Sequence, residues 1–152
     1  MPDTRLIFIR AATVTDTPVL LGLCRQIGFD PGEAALQAHL RLLLGSPDRT
    51  VLVGVDESNA PLAWAALELR VLLEAPPTVE ITGFVVDQAV RGQQVARRIL
   101  AAAEGWALAH GVLSVSLRSS TMRHDAHHFY LRQGYCVTTT QHLLIKSLGG
   151  RK

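Results

Sequence analysis

Residues 78–100 carry the pattern most able to do chemistry, because a β-branched run leads through a short polar turn into a helix. The apolar positions after the turn recur at the helical period, at Val95, Ile99, Leu100, Ala103, Trp106 and Ala107. The first N–H groups of a helix lack partners within it, and the helix dipole adds partial positive charge there. Arg91, Gly92 and the pair Arg97 and Arg98 surround this helix start. The stretch therefore predicts a binding site for a phosphate or pyrophosphate.

A second group of reactive side chains lies in residues 123–135, which read RHDAHHFYLRQGY. Ala126, Phe129 and Tyr130 share one helical face, and Gly134 is placed to end the helix. Taken alone, this is also the pattern of an amphipathic helix that makes aromatic core contacts.

Three histidines in the same stretch, His124, His127 and His128, have a spacing that brings imidazoles together on a helix. No acidic or thiol partner at a recognised zinc spacing accompanies them. We therefore expect histidines at the surface or at the edge of a pocket, and no metal site.

Composition limits the classes of protein to consider. The 152 residues are 48% hydrophobic and 18% charged, which predicts one globular domain over residues 1–148 with a frayed end at 149–152. The net charge of +2 is too small to indicate a nucleic-acid partner. No apolar run reaches the ~20 residues of a membrane span, and the amino terminus does not read as a signal peptide. Cys24 and Cys136 form no metal spacing or disulfide framework, so we expect a cytoplasmic protein.

The elements before residue 78 must position the first stretch. Leu6–Ile9 predicts a strand, and two helices follow it. Thr15 is expected to cap the first, which would end at Gly28, and Asp30 is expected to cap the second, which would end near Gly45.

Three short strands with turns between them then predict an antiparallel meander, over residues 51–55, 62–72 and 78–86. Gly83, inside the third, predicts a bulge or the close approach of another backbone. After the helix over residues 92–110, alternating patterns predict a strand at 113–117, a helix at about 122–133, and strands near 135–139 and 142–145. A strand–helix–strand unit implies parallel neighbours, so we predict a mixed sheet with helices on both sides.

Both chemical stretches resemble motifs of the GCN5-related N-acetyltransferase (GNAT) superfamily. The first resembles E-I-x-x-Φ-x-V followed by (Q/R)-x-x-G-x-(G/A), with matches at Glu80, Ile81, Phe84, Val86, Arg91 and Ala96. Gln94 stands where the family has its middle glycine. The second resembles (N/R)-x-x-A-x-x-F-Y-x-x-x-G-(F/Y), with matches at Arg123, Ala126, Phe129, Tyr130, Gly134 and Tyr135.

The resemblance implies an α/β fold of the GNAT type, with a mostly antiparallel sheet of six to seven strands, one parallel splayed pair and about four helices. It implies acetyl-CoA as cosubstrate and no metal. Pantetheine would contact Phe84, Val85 and Val86, with the Val86 N–H polarising the thioester carbonyl. The pyrophosphate would bind the turn and helix start, at Arg91, Gly92, Gln93, Gln94, Val95, Ala96 and Arg97.

Acetyl transfer to an amine requires a neutral amine, a stabilised oxyanion and a proton for the leaving thiolate. Glu80 matches the catalytic glutamate of some family members and is the expected base, directly or through water. The alternative is a structural role, in which Glu80 forms an ion pair with an arginine, and Glu68 is the substitute base.

Tyr130 matches the family's tyrosine and is the expected acid, with a core aromatic role as the alternative. Cys136 is expected to be a small buried residue at a strand start, so direct transfer in a ternary complex is preferred.

The expected activity is acetylation of a primary amine on a small molecule or on a protein surface, and a homodimer remains open. One alternative is a CoA-binding module that senses acyl-CoA without catalysis. Another is a dinucleotide-binding oxidoreductase fragment, which ranks low because the chain lacks G-x-G-x-x-G. The loops at 28–33 and 73–77 carry no acidic cluster suited to a polycationic acceptor.

Overall fold

A computed structural model of the chain describes residues 6–90, 94–119, 121–122 and 124–149. The chain divides into two compact units, the first ending at Arg118 and the second beginning at Ser119. The single domain expected over residues 1–148 stays a prediction.

The described residues of the first unit form five strands and three α-helices. In chain order they are β1 (Phe8–Ala11), α1 (Thr17–Gln26), α2 (Glu33–Leu44), β2 (Arg49–Val55), β3 (Pro61–Arg70), β4 (Thr78–Val86), α3 (Gln94–Ala109) and β5 (Val115–Leu117). The strands form one sheet in the order β1-β2-β3-β4-β5. β1 to β4 pair antiparallel, and β4 and β5 pair parallel. The meander and the parallel pair are confirmed.

Helices cover both faces of this sheet, as predicted. Buried side chains of α1 and α2 form one core cluster with the sheet, made of Leu20, Leu23, Leu40, Val51, Val53, Ala66 and Val85 among others. The neighbouring strand residue, Gly54, faces the other side, where a Cβ would lie 3.3 Å from Val95 and 3.4 Å from Ile99 of α3. Because successive strand residues point to opposite faces, α3 packs on the face away from α1 and α2.

Two predicted helix caps are wrong. Thr15 lies inside a short 3₁₀ turn that precedes α1, and Asp16 closes this turn by accepting a 2.8 Å hydrogen bond from the Thr13 N–H. Asp30 does not cap α2, because Gly32 precedes the helix in the left-handed region at φ 85°. The Asp30 carboxylate instead accepts from the Gly32 N–H at 3.1 Å.

The second unit contains α4 (His124–Arg132), followed by Gly134 at φ 95°, as predicted. The strands predicted at 135–139 and 142–145 are wrong, because residues 135–148 form neither a strand nor a helix. The described sheet therefore has five strands instead of six to seven. β-propensity alone does not make a strand, which also requires a neighbouring edge to pair with. Cys136 is consequently exposed and not buried.

Among the described helices, none has the length and apolar character needed to cross a membrane.

Candidate active site

The central feature of the candidate site is one edge of β4. This strand has nine residues, but β5 pairs with only its first part, at Val79, Glu80 and Ile81. No described strand lies beside residues 82–86 on that edge. A free strand edge offers N–H and C=O groups to an extended ligand that carries amides. Phe84, Val85 and Val86, the predicted pantetheine contacts, all lie in this part of β4.

A bulge separates the two parts of β4. Ala66 pairs with Gly83 while Leu67 pairs with Ile81, so Thr82 is the extra residue. A Cβ on Gly83 would lie only 2.7 Å from a ring carbon of Trp64. The predicted bulge is confirmed, and the group that approaches Gly83 closely is an indole ring, not another backbone.

Glu80 lies between two guanidinium groups. One carboxylate oxygen is 2.6 Å from Arg70 Nη1, and the other is 3.1 Å from Arg118 Nε. Glu80 is buried, whereas the Arg118 side chain is 65% exposed. The arginine pairing considered as the structural alternative is therefore present. The role of Glu80 as a base stays a prediction. A carboxylate has about four lone-pair sites, so Glu80 can still accept a hydrogen bond from water.

Glu68, the substitute base, lies directly opposite Glu80 in the β3–β4 register. Its carboxylate is 3.6 Å from Arg49, and its side chain is partly exposed. The two arginines that bind Glu80 could not be identified from the sequence. Alternation on β3 places Arg70 on the face of Glu68, but only the register of three strands brings Arg70 and Arg118 to one carboxylate.

The turn after β4 is held by the end of α1. Gln26 donates to the Asp87 carboxylate at 3.1 Å and accepts from the Gln88 N–H at 2.8 Å. Asp87 in turn accepts from the Ala89 N–H at 3.0 Å. These bonds fix the chain just before the predicted pyrophosphate loop.

Of that loop, Arg91, Gly92 and Gln93 lie outside the described residues. The remaining residues of the predicted pyrophosphate site, 94–97, form the first turn of α3. Val95 is buried there, Gln94 and Ala96 are half-buried, and Arg97 is exposed. Val95 thus anchors this turn in the core, while the charged side chain of Arg97 is left at the surface.

Tyr130, the predicted acid, belongs to α4 in the second unit and is half-buried there. Its ring lies 5.4 Å from that of Phe129 and 6.1 Å from that of Tyr135, measured between centroids. His124 and His128 are exposed and His127 is half-buried, as predicted for histidines at the surface. Arg123 lies outside the described residues.

An open cavity of about 470 Å³ lies beside the bulge of β4. Its lining is mostly apolar and includes Cys24, Ile27, Phe29, Trp64, Thr82 and Phe84. Asp30 is the one charged residue among the described lining residues. Burial raises the pKa of the Cys24 thiol, which disfavours its reactive thiolate form.

Comparison with known proteins identifies the family. The sequence profile of the Acetyltransferase (GNAT) family matches residues 20–135. The aminoalkylphosphonate N-acetyltransferase of Salmonella typhimurium is 43% identical over 56 residues, a match that spans 37% of this chain and 36% of that relative.

Two solved structures have similar folds. A tetramutant of the BH1408 protein from Bacillus halodurans is 27% identical, with 91% of this chain and 99% of that chain covered and a TM-score of 0.76. The aminoglycoside N-acetyltransferase AAC(6')-Iy, solved in complex with CoA, has a TM-score of 0.83 at 17% identity, with 96% and 98% covered. At that identity the second similarity concerns the fold alone. With the family profile matched over most of its length, the chain belongs to the GNAT family of acetyltransferases, whose typical cosubstrate is acetyl-CoA.

Proposed function

We propose that this protein transfers the acetyl group of acetyl-CoA to a primary amine of a small molecule, by direct attack in a ternary complex. The observation that carries this proposal is the open edge of β4 over residues 82–86, in the strand that precedes α3 along the chain. An extended arm with two amide groups, such as pantetheine, fits an unpaired strand edge. A small-molecule acceptor is favoured because the Salmonella relative is named for aminoalkylphosphonate acetylation. The free cysteines suit a reducing cytoplasm as its location.

In this proposal the backbone of Phe84, Val85 and Val86 binds the pantetheine arm, and residues 91–97 bind the pyrophosphate. When bound, acetyl-CoA supplies the activated acetyl group. The chain contributes backbone donors that do not reorganise during the reaction, as required to stabilise a developing oxyanion.

Glu80 is proposed to take the amine proton through a bridging water. An alkyl amine with a pKa near 10.4 is ~99.9% protonated at pH 7, so the acceptor must lose a proton before it attacks. Both carboxylate oxygens already bind a guanidinium, which favours a water-mediated path over direct contact. Tyr130 is proposed to return a proton to the leaving thiolate, because a phenol is ordinarily protonated at neutral pH.

A non-catalytic CoA-binding module is the second candidate. It is favoured by the two ion pairs of Glu80, which suit a structural carboxylate, and by Gln94 in place of the usual loop glycine.

One assay separates the two candidates. The protein is mixed with acetyl-CoA and a panel of aminoalkylphosphonates, aminoglycosides and simple alkyl amines, while free thiol is followed. A Cys136→Ser background removes the exposed protein thiol from the readout. If the protein is an enzyme, one CoA thiol should be released for each amine acetylated. If it is a non-catalytic module, calorimetry should detect heat of CoA binding, but addition of an amine should release no thiol. Absence of any CoA binding would overturn both candidates.

The role of Glu80 is tested by Glu80→Gln with Glu68→Gln as the matched control on the opposite strand. As a base, Glu80 is expected to contribute ~10²–10⁴-fold to kcat, so kcat of the variant should fall by that factor. The control should keep the wild-type kcat. If Glu80→Gln lowers thermal stability while the remaining folded enzyme keeps its kcat, the carboxylate is structural and the base assignment fails.

A further inference from the structure

The cavity beside the bulge of β4 offers little charge to a ligand. Asp30, the one charged residue of its described lining, already accepts hydrogen bonds from the Arg25 guanidinium and from the Gly32 N–H, both at 3.1 Å. The described lining contains no lysine, arginine or histidine that could bind a phosphonate. A ligand group with further ammonium charges would also lack partners there, and burial of an unpaired charge is costly. The cavity therefore favours an uncharged, apolar group.

Large apolar side chains of this lining remain open to solvent. Ile27, which follows α1, is 49% exposed, and Phe29 is 65% exposed. Trp64 of β3 adds an aromatic ring to the same lining. Accessible apolar side chains that converge on one cavity are typical of a ligand site, and a volume of about 470 Å³ suits a small molecule.

The cavity lies on the face of the sheet that carries Glu80. Trp64, Ala66 and Glu68 alternate along β3 and therefore share one face. Glu80 is the register partner of Glu68, which places it on that face too. Thr82, which lines the cavity, is two residues from Glu80 along β4, or roughly 7 Å. A small molecule whose amine approaches Glu80 through water would thus have its body beside the cavity.

We propose that this cavity holds the body of the amine acceptor, and that the acceptor is a monoamine on a hydrocarbon body without a second charged group. The inference rests on the proposed function and names the substrate class of the same site. The hydrocarbon body enters the cavity, and the amine group stays outside it, toward Glu80. This class differs from the aminoalkylphosphonates for which the Salmonella relative is named, because the described lining has no cation for a phosphonate.

A series of linear amines in the thiol-release assay tests the substrate class. The value of kcat/KM should rise about fourfold for each methylene from propylamine to hexylamine, the factor expected for one buried methylene. 1,5-Diaminopentane has the length of hexylamine but ends in a second ammonium group, so its kcat/KM should be about 10- to 100-fold lower. A series without this rise, or a diamine or aminoalkylphosphonate that reacts as well as hexylamine, overturns the substrate class and leaves the proposed function intact.

Two substitutions at the cavity test whether it makes the selection. Phe29→Ala should lower kcat/KM for hexylamine relative to propylamine by about fourfold to tenfold, through KM and with kcat unchanged. Leu42→Ala on α2 is the matched control, since Leu42 is 71% exposed and is not among the described lining residues. Ile27→Asp adds a carboxylate and should raise the diamine relative to hexylamine at least about tenfold, a gain that misfolding cannot produce. Unchanged ratios in both cavity variants would overturn the assignment.

Fluorescence of Trp64 separates failure of this inference from failure of the proposed function. A Trp106→Phe background leaves Trp64 as the single tryptophan of the chain. Hexylamine should shift its emission at a lower concentration than 1,5-diaminopentane does, with or without catalysis. An emission shift without thiol release from any amine overturns the proposed function alone. Thiol release without an emission shift overturns the cavity assignment alone, and absence of both overturns both.

Discussion

Tyr130 has two possible roles, general acid and core aromatic residue, and only the first requires its hydroxyl group. Tyr130→Phe keeps a ring against Phe129 and Tyr135 but removes the hydroxyl. If the hydroxyl is the general acid, kcat should fall by ~10²–10⁴-fold while KM for acetyl-CoA changes little. Steady-state kinetics with a saturating amine measures both values. Tyr135→Phe is the matched control and should retain kcat; an unchanged kcat in Tyr130→Phe would leave Tyr130 as a core aromatic residue.

Asp16 carries the clearest prediction about pH. Arg10 binds both of its oxygens at 2.9 Å, and Asp16 is buried. The hydrogen bonds from Arg10 are the main reason that the pKa of Asp16 is lowered, although burial opposes them. The native carboxyl group therefore binds its proton less tightly than the unfolded one. Its stabilising effect is present above the unfolded pKa, near 3.9, and is lost as the pH falls through the lower native value.

We therefore expect Asp16→Asn to lower the free energy of unfolding by about 1.5–3 kcal/mol at pH 7, the range for hydrogen bonds to charged groups. The difference from wild type should shrink as the pH falls below about 4. Urea unfolding at pH 7 and pH 3 measures both. Asp30→Asn removes an exposed ion pair with Arg25 and should cost less than about 1 kcal/mol. An equal loss at both pH values would contradict the assignment.

At the scale of elements, β4 passes close to the Trp64 ring at Gly83, next to its bulge. A methyl group on Gly83 would lie 2.7 and 2.8 Å from two carbons of the rigid indole ring. Gly83→Ala should therefore cost about 1–3 kcal/mol in the free energy of unfolding, as overpacked cores do. Gly105→Ala in α3 is the control, since no atom lies within 4 Å of its added Cβ. It should be neutral or stabilising by up to about 1 kcal/mol.

A smaller ring at position 64 should relieve this clash. In a Trp64→Leu background, Gly83→Ala should destabilise the protein by less than it does in wild type, and a double-mutant cycle from urea midpoints gives the coupling. Strict additivity of the two substitutions would show that the indole does not limit the space at Gly83.

The sequence predicted those elements whose signal is local. The strand at 78–86 and its bulge followed from β-branched residues around one glycine, and the end of α4 followed from Gly134. Interactions set by register were not predictable, because Arg70 reaches Glu80 from β3 and Arg118 reaches it from the position just after β5. The predicted cap of α2 was wrong for a different reason. The left-handed backbone of Gly32 competes with a helix start at Asp30, and the sequence does not say which conformation wins.

At the scale of the whole molecule, residues 135–148 show that a high strand propensity does not by itself give a paired strand. These residues have the composition of strands, but the described sheet ends at β5. The site itself uses β4, whose edge is free because β5 is short.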